Sequence, residues 1–218
     1  MTELTKPRFN LRKFVMQLVV GAVSGAAITY GTLKLLDGSG FDADDPSRML
    51  ALAVGLVFAI IGVFVALGVA VPRAGAHLLN VEDADELREQ RKTLRSSALL
   101  FVLTGAGLLA LALGGAEGEQ RLLSLAASAM IAAACFAAVV LLAVVNRNSG
   151  DEMMRSMSRQ ASVVALYTIA VLAILWAILA HLGRAPQLDS LGVLAGILAI
   201  QLVSVFVVVG RGGLLVPR

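Results

Sequence analysis

Cysteine occurs once in this chain, at Cys135, so no internal disulfide can form. Histidine occurs twice and tryptophan once, which leaves little material for a metal or haem centre. His77 and His181 are expected at opposite membrane faces with Cys135 between them, so neither centre has a ligand set, and no cofactor is expected. Charge is scarce too. Only 15% of the 218 residues are Asp, Glu, Lys or Arg, against about 25% in soluble domains, and 58% are apolar. That is the composition of a membrane protein.

The placement of the few charges excludes more. None falls in the middle third of any long apolar stretch, where proton relays, ion pathways and voltage sensors carry theirs. Aspartyl chemistry inside the bilayer needs two facing carboxylates, and none is available. Ser24 sits in a Gly-x-x-Ser-Gly setting, but His77 and His181 are each half a bilayer from it, so it reads as a packing residue rather than a nucleophile. The five prolines stay near the ends of apolar runs, which weakens the broken-helix design of secondary transporters. A net charge of +3 arises from residues at membrane borders, where orientation explains them; nucleic acid is not an expected partner.

What is present is a succession of apolar runs. A hydrocarbon core of about 30 Å needs roughly 20 residues of helix, and six stretches qualify: about 14–36, 48–71, 96–114, 121–145, 161–182 and 188–210. Lipid offers the backbone no partner, so each is expected to be a helix, giving an all-α integral membrane fold, a six-helix bundle. The first run is too long for a signal peptide and reads as a first span. Arg and Lys concentrate before it (Lys6, Arg8, Arg12, Lys13), in the second loop (Arg73, Arg88, Arg91, Lys92, Arg95) and in the fourth (Arg147, Arg155, Arg159). The other side holds Lys34, Arg48, Arg121 and Arg184 among Asp37, Asp42, Asp44 and Asp45. Both termini are therefore expected in the cytoplasm, in a plasma membrane of bacterial inner-membrane style. Residues 1–213 read as one transmembrane domain. Residues 214–218 end in Leu-Val-Pro-Arg, a thrombin recognition sequence, and read as an expression scar.

Two phrases are nearly parallel. Asp83 to Phe101 and Ser149 to Tyr167 each run from acid through base into membrane, 66 residues apart when Asp85-Glu86 is set on Asp151-Glu152. Asp83 with Glu86, and Ser149 with Glu152, have capping-box spacing, which starts a helix about ten residues before the bilayer. The third and fifth spans are thus expected to be rods of about thirty residues, about 45 Å long. A repeated helical hairpin is one reading of the resemblance; shared topology is the other. Asp45-Pro46 fits an N-cap and first helical residue, and does so better than a cation site built from Asp42, Asp44 and Asp45. Gly105-Ala106-Gly107 lies inside a span, not in a nucleotide loop.

Small residues line single faces: Gly21 and Gly25, then Ala51, Gly55, Ala59, Gly62 and Ala66, then Gly192 and Gly196. Such faces let helices approach closely in lipid.

Three functions fit. The first is a non-enzymatic accessory, scaffold or assembly subunit. It would associate with the lipid surface, a membrane-protein partner or a second copy through Asp85, Glu86, Arg91 and Arg95 on one rod and Asp151, Glu152, Arg155 and Arg159 on the other, with Met153, Met154 and Met157 as an adaptable surface. The second is a small permease or channel for a neutral or lipid-like solute, lined by Ser24, Ser128, Thr168, Gln201 and Ser204. The third is an enzyme acting on lipid at the cytoplasmic interface. Capping and membrane anchoring account for the acidic and basic residues without any of the three.

Overall fold

The computed structural model describes residues 25, 26, 30, 34, 45–70, 91–115, 122–146, 152–185 and 189–211. Within them the chain is helical: α1 (Pro46–Ala70), α2 (Arg91–Leu113), α3 (Leu125–Val145), α4 (Glu152–His181) and α5 (Ser190–Arg211). All five are long and apolar enough to cross a membrane. They correspond to the last five of the six expected spans. The first falls outside the described residues except for Gly25, Ala26, Tyr30 and Lys34, whose backbone is helical.

The boundaries have local causes. α1 starts where Asp45 caps it: the carboxylate accepts the N–H groups of Ser47 and Arg48 at 3.0 and 3.2 Å, with Pro46 in the first turn where no N–H is needed. α3 starts four residues later than the expected 121, because Ser124 caps it by accepting the Ala127 N–H at 3.3 Å. Ahead of that cap, Leu123–Ser124 (β2) is extended and pairs in parallel with Gly114–Gly115 (β1), a two-residue ladder that ties the end of α2 to the start of α3. α4 ends in a Schellman turn. Gly183 takes φ +70°, its N–H donates to the Ala180 carbonyl at 3.0 Å, and the Arg184 N–H donates to that of Leu179 at 2.9 Å.

α1, α2 and α5 surround the core, which is built from Ala51, Leu52, Val54, Phe58, Leu108, Ala112, Ala195 and Leu202. α1 and α2 form the most extensive seam, α3 flanks α2, and α4 flanks α5. No substantial seam joins α3 to α4 among the described residues.

The α1–α2 seam depends on missing side chains. A Cβ at Gly105 would sit 2.7 Å from the Ala59 nitrogen and the Gly55 carbonyl oxygen, and one at Gly62 would sit 2.7 Å from the Val102 nitrogen. Backbone therefore meets backbone, the close approach that dispersion requires when lipid removes the hydrophobic driving force between helices. Gly55, Ala59 and Gly62 of the small-residue face expected along the second span make this contact, while Ala66 is exposed.

Candidate functional site

The cationic and acidic positions expected to protrude are partly within view. Asp85, Glu86 and Asp151 lie outside the described residues. Arg91 and Arg95 are exposed at the start of α2, and Glu152, Arg155 and Arg159 are exposed at the start of α4. α4 has the thirty residues expected of it, and from Glu152 to Gln160 every residue but the half-buried Met157 is exposed. α2 and α4 share no substantial seam, so the two groups are not brought together by helix packing. Arg155 and Met154 are each engaged with a neighbour.

The polar positions proposed for a solute path are dispersed. Ser24 lies outside the described residues. Ser128 is buried in α3 against Gly114, its hydroxyl donating to the Leu125 carbonyl at 2.9 Å. Thr168 is half-buried on α4, at the opposite flank of the bundle. Gln201 is half-buried and Ser204 buried on α5. Ser128 and Thr168 therefore line no common surface, while Gln201 and Ser204 share one helix.

Among the described residues, a polar arrangement lies where the starts of α1 and α5 meet the end of α2, and the sequence signals only part of it. Arg48 reaches from α1 in two directions. Its Nε is 3.0 Å from the Asp45 carboxylate, and its guanidinium donates to the Gly114 carbonyl at the end of α2, at 2.8 Å. Asp189 caps α5 by accepting the Gly192 N–H at 2.8 Å, and it also accepts the hydroxyl of buried Ser47. A Cβ at Gly192 would lie 2.7 Å from that hydroxyl, so glycine is what lets α1 close on α5.

The Ser47 hydrogen bond and then the Gly192 N–H hold the Asp189 carboxyl below its ordinary value; burial opposes them, and the Arg48 charge adds a lesser lowering. Each charge also complements a helix end: carboxylates at the starts of α1 and α5, a guanidinium at the finish of α2. With its charges and hydroxyl satisfied in this way, the cluster offers no activated nucleophile and acts as a clasp. Asp45-Pro46 was legible as a cap; the reach of Arg48 to Gly114 across 66 residues of sequence was not.

Between α4 and α5 lies a groove of about 510 Å³, lined among the described residues by apolar side chains and glycine. No family model matches the chain, and the searches of curated proteins and of solved structures find no match either.

Proposed function

We propose that this chain is a six-span membrane protein with both termini cytoplasmic, working without catalysis as an accessory, scaffold or assembly subunit of a bacterial-type inner membrane. The observation that carries the reading is the overrun of α4. Thirty residues make about 45 Å of helix where about 30 Å suffices to cross the hydrocarbon, and the surplus is the polar, exposed segment Glu152–Gln160. Met153 and Met154 are 52% and 48% exposed there, soft contact groups between charges. Asp151, the start of α2 at Arg91 and Arg95, and Asp85 with Glu86 before it belong to the same proposed surface.

The permease alternative draws on Ser24, Ser128, Thr168, Gln201 and Ser204, of which Ser128 and Thr168 sit on helices at opposite flanks of the described bundle. The interfacial enzyme alternative draws on acids whose sequence spacing is already accounted for by helix capping.

Native mass spectrometry of the full chain, released gently from its own membrane, tests the association reading. A defined complex with another polypeptide is the expected result, abolished by Met153→Glu with Arg159→Glu while the helical content and thermal midpoint are retained. A lone monomer before any substitution overturns it.

A further inference from the structure

The groove between α4 and α5 sets Leu172, Trp176 and Ala180 opposite Gly192, Gly196 and Ile200. At Gly55, Gly62 and Gly105 the missing side chain is filled by a neighbouring helix; at Gly196 a Cβ would meet nothing within 4 Å. The volume falls within the roughly 300–1,000 Å³ of small-molecule sites. Its walls lie within two membrane-length segments and carry no charged or hydroxyl side chain, so water finds no set of partners there and the occupant must be hydrocarbon.

The residues just past the Ala180 end of the groove bear on which hydrocarbon. Arg184 follows α4 directly, its N–H bound to the Leu179 carbonyl beside Ala180, and its side chain is exposed. Among the described residues its guanidinium makes no ion pair. The neighbouring anion, Asp189, is already held by Ser47 and the Gly192 N–H. A cation with no ion-pair partner among the described residues, one helical turn beyond the groove residue Ala180, is complementary to an anionic head on an acyl chain.

We propose that the α4/α5 groove binds one acyl chain of an anionic glycerophospholipid, with its phosphate at Arg184. This is independent of the association reading, which uses the opposite end of α4.

Trp176, the sole tryptophan, lines the groove and reports on it. The full chain is placed in phosphatidylcholine nanodiscs and titrated with phosphatidylglycerol brominated on the acyl chain, or with phosphatidylcholine brominated in the same way, and Trp176 fluorescence is followed. Quenching is expected to saturate, at a mole fraction about fivefold lower for phosphatidylglycerol, the weight of one Arg at an anionic surface. Arg184→Gln should erase that preference. Gly196→Leu should erase the saturable quenching without lowering the thermal midpoint, since its side chain enters open space. The unsubstituted comparison decides by itself if that variant does not fold. Quenching that follows bulk mole fraction equally for both lipids overturns the proposal, and so does a Trp176 that neither lipid quenches, which would mean that protein covers the groove.

Discussion

α2 and α4 sit at corresponding places in two parallel stretches of sequence, and the structure treats them in opposite ways. In the most apolar window of each, 39% of α2 is buried and 6% of α4, the extremes among the five helices. Positions 66 residues apart make the contrast concrete. Phe101 packs on Phe58 with ring centroids 5.5 Å apart, while Tyr167 is 69% exposed. Leu108 is fully buried; Ile174 is 61% exposed. Gly105 is jammed against α1, and its counterpart Val171 faces outward. Both helices are apolar, so apolarity did not choose their neighbours. Residue size did: α2 carries glycine on the face that meets α1 and, at Gly107, on the face that meets Phe136 of α3, whereas bulky residues cover most of α4.

The contrast breaks most severely at Gly105. Gly105→Leu should cost more than about 3 kcal/mol, since backbone rather than a flexible side chain stands in the way, and Val171→Leu should stay within about 0.5 kcal/mol. Denaturant titration of both variants in mixed micelles measures the difference; equal effects would show that the α1–α2 seam is not the source of stability. Next in size, Phe101→Ala should lose about 2 kcal/mol, less than in a water-soluble core because lipid can fill the gap, and Tyr167→Ala almost nothing.

The clasp sharpens the comparison from another side, because it fastens the end of α2 and leaves α4 alone. Arg48→Gln should cost about 1–2 kcal/mol by the loss of a charge-assisted bond to the Gly114 carbonyl, read as a lower thermal midpoint. Asp189 adds a pH dependence whose sign follows from its lowered pKa. Its contribution is complete above the ordinary carboxyl value of 3.8 and is lost as pH falls through the lower folded value. The thermal midpoint should therefore decline more steeply below about pH 4 in the parent than in Ser47→Ala, which removes the main cause of the shift. Smallest of all, Glu152→Gln on the exposed start of α4 should leave stability within about 0.5 kcal/mol.

Much of the fold was legible because membrane helices are written in runs. The five described helices match expected spans to within a few residues at nearly every end, and α4 overruns its span by the length its polar start implied. The caps at Asp45 and the helical setting of Gly105 were readable from local rules. Ser124 as a cap was hidden inside an apolar run, where hydropathy alone places the helix start too early. The clasp was illegible for a different reason: Arg48, Gly114 and Asp189 are far apart in sequence, and each looks like an ordinary residue at the end of a span. Of the positions singled out for function, Glu152, Arg155 and Arg159 on α4 are exposed, while Met157 and Thr168 are half-buried. Ser128 and Thr168 fall on helices that share no substantial seam among the described residues, since a polar residue in a span declares its depth but not which helix it will meet.

The sequence by itself determined that this chain is a set of membrane-length helices, within a few residues where most of them begin, and which faces can approach closely, because each of these follows from hydropathy, capping and side-chain size along one helix. Only the tertiary structure decided that α1, α2 and α5 form the centre, that α2 is enclosed and α4 stands at the edge, and that a groove opens beside Trp176. In lipid every apolar helix satisfies its backbone alone, so the choice among neighbours rests on the fit of one surface to another, and no single helix contains that information.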